Sequence, residues 1–411
     1  MSGVQRIAKL VKFLPAHGWD PTVLTVKPGG YFAFDTDLLA EVEAAGVRIV
    51  RTGSVDPTRA FGHRQEVGLP TEAKRRFLSS VSQALFIPDN KIGWYPAAVR
   101  RGRDLFAEDR FDAVMSSAPP YTAHLVARSL AQAFGVPLIT DFRDDWVGNP
   151  RHTYPTPLHR WIHTRLEHRV LRSSRLVTVI NPIIRDALAA RNPDVPTPVF
   201  QVVPQGFDSQ DYAPPNSNPA VRAPGVPFRL VYTGVFYDAQ TPGPFLEGLA
   251  RFMAQRPEAA VQASFFGLFP AIEKDRIERL GLSDVVRIGS YLTHREAMRE
   301  VEANDVPWLT VGRREGAEQI STGKLYAYMG ARKPILALVP DGAARTTLLG
   351  YGAAVFADPD HPDEIARSIG CLYDDWLAGT LPKPDPAFVA AHDRNLLGAQ
   401  VANLLNGLLE A

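Results

Sequence analysis

Apolar positions along this chain alternate between two periods. Val4, Ile7, Ala8, Leu10, Val11 and Leu14 share one side of a helix, which Pro15 to Gly18 end. Residues 21–26 form a short apolar strand, 37–45 a helix, and 47–50 a strand after Gly46. Residues 54–95 read as irregular and basic, with Lys74, Arg75 and Arg76 clustered. A helix near 96–107 then precedes a strand at 113–116, a helix at about 120–134 and a strand at 137–140. A long helix at about 157–172, a strand at 176–180, a helix from Pro182 and a strand at 199–203 complete this half. Strands that alternate with helices predict an α/β fold with a parallel sheet covered on both faces.

Residues 213–227 are Pro-rich, polar and without periodicity, as a linker would be. A second alternating half follows, with strands at 228–233, 261–266, 285–288, 306–311, 334–339 and 354–356. The predicted division is a first lobe at 1–212, a linker at 213–227, a second lobe at 228–385, and a C-terminal helical stretch at 386–411 packing back toward the first lobe. Two Rossmann-like lobes of this kind place a ligand cleft between them, at the carboxyl ends of their strands.

Composition narrows the class. A chain of 411 residues is long for one domain, and two is the natural expectation. Its 45% hydrophobic and 22% charged residues are those of a globular protein. A net charge of +1 predicts no bulk attraction to nucleic acid. No apolar run approaches the ~18 residues of a membrane span, and the N-terminus has no signal-peptide apolar region. A single cysteine, Cys371, excludes an internal disulfide and a Cys-based zinc cluster. Together these point to the cytoplasm.

The candidate chemistry lies at strand ends. The stretch from Ser321 to Leu336 reads as a small-residue loop, one lysine, a short helix, a Gly break and a buried strand. Such a turn holds a phosphate on backbone N–H groups at a helix N-terminus, with Lys324 adding a full charge; an ordinary helix-to-strand connection is the plain alternative. Gly234 ends the first strand of the second half, where a glycine lets a ligand approach the backbone. Residues 235–244 contain no Lys or Arg. Arg313, Arg314, Glu315 and Glu318 precede the Lys324 loop. Lys324 with Arg313 or Arg314 suits a diphosphate whose charge grows as it leaves, and Glu315 or Glu318 suits sugar hydroxyls; a solvated charged loop is the alternative.

In the first half, Asp141-Phe142-Arg143-Asp144-Asp145-Trp146 gathers three carboxylates beside an arginine, where like charges resist joint ionisation unless a cation or hydroxyl intervenes. Arg143 and Asp144 suit an acceptor sugar; a structural salt bridge with an Asp cap fits equally. Ser116 to Thr122, with Ser117 and Tyr121, is a second candidate wall. His159, His163 and His168 lack an acidic motif nearby, so no metal site is expected. They join Arg160, Arg165, Arg169, Arg172 and Arg175 in a basic face over 157–175, fit to contact anionic lipid or a phosphorylated acceptor, or to stand as a solvated helix face.

With these residues in hand, the chain resembles a bacterial family-4 glycosyltransferase of the GT-B fold over nearly its whole length. Ser2 to Arg6, Leu14 to Trp19 and Val23 to Val26 resemble the family's first loop, helix and second strand. Ser116 to Tyr121, Asp141 to Trp146, Val203 to Asp208, Tyr232 to Gly234 and Gly323 to Tyr326 follow in the family's order. The resemblance implies retaining transfer from a nucleotide-diphospho-sugar to a glycan or lipid-linked acceptor, in polysaccharide or glycoconjugate assembly, with no essential metal and no cofactor. It implies donor contacts at Gly3, Gly234, Gly323, Lys324 and Leu325, with Lys324 on the diphosphate. It also implies that Arg143 and Asp144 occupy the loop where relatives carry a His-Asp pair near the acceptor, beside Ser117, Tyr121 and Asp141.

Two departures bear on this. Relatives carry a Glu for the donor ribose where this chain has Ala327, leaving Glu318 as a replacement. Relatives also begin with a strand and a Gly-rich loop, whereas this chain begins at the loop's end. Loss of that central strand would leave its neighbours without ladder partners, at about 0.5–1.5 kcal/mol per net hydrogen bond. The expectation is that Met1 is a misplaced start, which an intact mass of the native protein tests. The departures keep open a non-catalytic sugar-nucleotide-binding protein of the same fold. A sugar-nucleotide epimerase of that fold is a third reading.

Overall fold

The computed structural model describes residues 2–29, 35–56, 80–213, 225–236 and 240–410. The Lys74 to Arg76 cluster and most of the 213–227 linker lie outside them. The chain forms two compact units, Met1–Pro204 with Leu397–Ala411, and Gln205–Leu396. The sequence-based boundary at 212 therefore moves to 204. Residues 205–213 join the second unit because Phe207 bridges to Asp393 and the Tyr212 hydroxyl donates to the Ala327 carbonyl at 2.6 Å.

The first unit opens with the helix Ser2–Phe13, which Gly18 closes at a φ of 84° after a 3-10 turn. Two strands, β1 (Thr22–Val26) and β2 (Arg48–Thr52), pair in parallel, with the helix Thr36–Ala44 between them capped by the Asp35 side chain. Next come β3 (Val114–Ala118), β4 (Leu138–Phe142), β5 (Leu176–Val179) and β6 (Phe200–Val202), all parallel in that spatial order. The helices Tyr95–Glu108, Thr122–Phe134, Pro157–Ser173 and Pro182–Arg191 alternate with them. Every residue of β4 and β5 is buried, as expected where helices cover both sheet faces, whereas β1 is half-buried throughout. Among the described residues no ladder joins β1 to β3. The end of the chain belongs to this unit: Val401, Ala402 and Leu405 pack with Leu14, Ile139, Leu176 and Val203.

The second unit holds β7 (Phe228–Val235), β8 (Val261–Leu268), β9 (Val286–Gly289), β10 (Val306–Thr310), β11 (Ile335–Leu338) and β12 (Ala354–Ala357). They form one parallel sheet in the order β12-β11-β10-β7-β8-β9. Its core stacks Trp308 on Phe245 at 4.0 Å between ring centroids, with Tyr232 and Phe265 around them. The order runs outward from β7 in one direction and from β10 in the other. A crevice at the carboxyl ends of strands opens at such a reversal, here beside Gly234 and the loop after Thr310.

Candidate functional site

At that reversal, the last but one residues of β7 and β8 are two glycines paired in register, Gly234 at φ 125° and Gly267 at φ 131°. A Cβ on Gly267 would lie 2.1 Å from the Gly234 carbonyl oxygen, so the backbones meet closer than any side chain allows. A Cβ on Gly234 would lie 2.6 Å from Lys324 Cε. The lysine side chain thus runs across the bare backbone of β7. Its Nζ stands 5.1 Å from the centre of the Tyr232 ring. Burial pulls its pKa from 10.5 down to about 8.

Lys324 lies in the first turn of the helix Gly323–Gly330, whose other face is anchored by buried Leu325, Tyr326, Tyr328 and Met329. Thr322 caps the helix, its hydroxyl accepting from the Lys324 N–H at 3.4 Å and its carbonyl from the Leu325 N–H at 3.2 Å. The Tyr328 hydroxyl accepts from the Thr233 N–H at 2.9 Å and so ties this helix to the end of β7. Gly234, Gly323 and Lys324 are therefore brought together, while the Leu325 side chain belongs to the core.

Arg313 and Glu318 gather elsewhere. They line a cavity of about 740 Å³ at the carboxyl ends of β10, β11 and β12, with Arg314, Asp341, Arg345, Asp358 and Glu364. Neither Lys324 nor Gly234 lines it. Arg313 pairs with Asp358, whose carboxyl it holds at a pKa of about 2. Glu315 and Glu318 are exposed.

In the first unit, the three carboxylates of the acidic loop have different surroundings. Asp141 is fully buried at the end of β4. It accepts from Arg6 Nη2 at 2.7 Å, Ser117 Oγ at 2.6 Å and Thr178 Oγ1 at 2.8 Å. Desolvation opposes its charge, but Arg6 and the hydroxyls outweigh that and hold its pKa at about 2. Arg6 also donates to the carbonyls of Val203 at 3.0 Å and Pro204 at 2.8 Å, joining the first helix to β4 and the end of β6. Asp145 is buried against Arg191, which also holds Glu167 at 3.2 Å. Asp144 is half-buried and makes no hydrogen bond or ion pair with the described residues.

Ser117, Tyr121 and Asp141, read from the sequence as acceptor-side residues, are committed inward. Tyr121 is fully buried, stacks on Trp146 at 4.6 Å, and donates to the Asp145 carbonyl at 2.7 Å. Arg143 donates to the carbonyls of Gly3, at 2.7 Å, and Pro119. Its guanidinium carbon lies 2.8 Å from where a Gly3 Cβ would stand, so any side chain there would displace the arginine from this position. Gly3, Arg143 and Asp144 thus form a second group, around the start of the first helix. Arg6, Arg191 and Glu167 escape sequence reasoning because their partners lie far along the chain. Gly267 carries a legible signal, a glycine near the end of an apolar strand like Gly234.

Residues 3–206 match the model of a glycosyl transferase 4-like domain. No curated protein matches the chain significantly. Among solved structures, HepE of Anabaena in complex with UDP is 16% identical with a TM-score of 0.59, covering 95% of this chain and 100% of its own. A glycosyltransferase of Rickettsia africae is 14% identical with a TM-score of 0.64, covering 100% of this chain and 96% of its own. The sucrose-phosphate synthase of Thermosynechococcus elongatus is 15% identical with a TM-score of 0.60, over 95% and 99%. At these identities the likeness is one of fold.

Proposed function

Since the chain belongs to the family-4-like GT-B glycosyltransferases, with that family's domain over residues 3–206, we propose that it transfers a sugar from a nucleotide-diphospho-sugar to a glycan or lipid-linked acceptor. The transfer proceeds with retention and serves polysaccharide or glycoconjugate assembly. The observation that carries the reading is Lys324 lying across Gly234 at the start of a helix, where the strand order of the second unit reverses. An ammonium and a helix N-terminus together offset a diphosphate, and do so most as the leaving group gains charge. HepE of Anabaena, with UDP bound, supports a uridine nucleotide as the first donor to try.

The cavity lined by Arg313 and Glu318, at the carboxyl ends of the same sheet, has room for the donor's sugar ring, with the exposed Glu318 carboxylate available to its hydroxyls and Glu315 exposed on the preceding loop. Asp144 faces the acceptor and takes up its hydroxyl proton, Arg143 keeps Gly3 in place beside it, and the protein works in the cytoplasm, in peripheral contact with a membrane. No metal is required, because Lys324 and the helix N-terminus supply the positive field.

A panel of nucleotide sugars, screened by thermal shift and by donor hydrolysis with and without EDTA, tests this. Loss of hydrolysis in Lys324→Ala with the fold intact supports the role of Lys324, and unchanged activity sinks it. Ala327 favours a second reading, a sugar-nucleotide-binding protein without turnover. Binding with no product across a broad acceptor panel would select it.

A further inference from the structure

The helix Pro157–Ser173 exposes an unusual mixture on its solvent side. Leu158 is 60% exposed and Trp161 53% exposed. The Arg165 guanidinium covers the Trp161 ring at 4.5 Å. Arg160, Arg165, Arg169 and Arg172 are exposed along the same helix, and Arg175 follows just past its end. The helix's own carboxylate, Glu167, turns inward to Arg191. Asp194 reaches only His168 and Arg172, at 3.5 Å each. Among the described residues, Arg160, Arg165, Arg169 and Arg175 have no carboxylate within ion-pair distance. At the helix start, His159 Nε2 lies 3.2 Å from the Ala84 carbonyl oxygen, and the segment it touches exposes Val81 and Leu85, the latter by 70%.

At helical spacing Arg165, Arg169 and Arg172 share the side of the helix that carries Leu158 and Trp161, so in a chain with a net charge of only +1 arginines are interleaved with large apolar side chains on one face. Water alone gives no reason for that arrangement. An indole with an arginine over it suits the boundary between lipid headgroups and acyl chains, where one part of the pair is dry and the other wet. Arginine forks match phosphate, and clustered basic residues near an anionic leaflet each add to binding.

We propose that this face docks the protein on an anionic phospholipid surface. Leu158, Trp161 and Leu85 enter the headgroup region, and Arg165 and Arg169, with Arg175 just past the helix end, engage lipid phosphates. The inference does not depend on sugar transfer, and its test reads partitioning rather than turnover.

The full chain would be sedimented with vesicles of phosphatidylcholine alone, and with vesicles containing phosphatidylglycerol at about one part in three. Binding is expected to the anionic vesicles only and to weaken with salt. Arg165→Gln with Arg169→Gln should lower the partition coefficient about thirty-fold. Leu158→Ser with Trp161→Ser should lower it about ten-fold, with the circular dichroism spectrum and melting temperature unchanged. Equal binding to both vesicle types, absence of binding, or indifference to both double variants would overturn the proposal. So would displacement by soluble inorganic pyrophosphate, which would assign the face to a phosphorylated soluble ligand.

Discussion

Replacing Lys324 by Met is expected to make the ligand-free protein more stable while abolishing the diphosphate binding proposed for this residue. Burial takes the Lys324 pKa from 10.5 to about 8, which corresponds to about 3 kcal/mol against the charged form. The residue is half-buried, and the Tyr232 face 5.1 Å away offsets part of the penalty, so about 1–2 kcal/mol remains. The folded pKa lies below the unfolded one. The penalty is therefore full below pH 8, where both states carry the proton, and fades between 8 and 10.5 as the folded state loses its proton first. Methionine fills the same groove over Gly234 with no charge to desolvate. Urea unfolding should place Lys324→Met about 1–2 kcal/mol above the native protein near neutral pH, with the gap closing as the pH rises toward the unfolded value. Added UDP should stabilise the native protein and leave the variant where it was. A variant less stable than the native protein near neutral pH, or a gap indifferent to pH, would refute the reasoning.

Three further outcomes follow from the same geometry. Asp141→Asn should cost about 3–5 kcal/mol, because it leaves the Arg6 guanidinium buried without its charge partner. The folded Asp141 pKa of about 2 lies below the usual 3.8, so its stabilisation is complete above pH 4 and lost as pH falls toward 2; urea melts of the variant should lack that dependence. Gly234→Ala should lower stability by about 1–3 kcal/mol and weaken UDP binding, since its φ is 125° and its Cβ would stand 2.6 Å from Lys324 Cε; calorimetry with UDP checks both. Asp144→Asn should reduce turnover about 100-fold at unchanged donor KM while lowering the unfolding midpoint only slightly, because among the described residues the carboxylate makes no hydrogen bond or ion pair and supports Arg143 only through space.

The strands are legible because a parallel sheet buried on both faces demands apolar runs: Leu176–Val179 and Ile335–Leu338 are read at nearly their true places. The ends of β7 and β8 are less so. Both run to the residue after a glycine, since Gly234 and Gly267 stay in the ladder at positive φ where a sequence reading ends the strand. Lys324 is legible as a cation at a helix start. That it would lie over Gly234 and Tyr232 is not, since three strands and their connections separate the residues along the chain.

The acidic loop shows the deeper reason for the remainder. Asp141, Asp144 and Asp145 are alike in sequence, and their spacing suggests one shared site. Their fates differ because residues beyond the loop decide them: Arg6, 135 positions away, takes Asp141, and Arg191, 46 positions away, takes Asp145. A buried carboxylate is tolerable only with such a partner, and a distant partner leaves no local signature. Each pairing also builds the fold, one joining the first helix to β4 and β6, the other joining the loop to the helix Pro182–Arg191. Two of the three charges are thereby consumed in holding the loop in shape. Among the described residues Asp144 is left by those pairings without a hydrogen bond or ion pair, which is why the proton-accepting role is proposed for it and not for Asp141 or Asp145, and Arg143 beside it is braced on the Gly3 and Pro119 carbonyls.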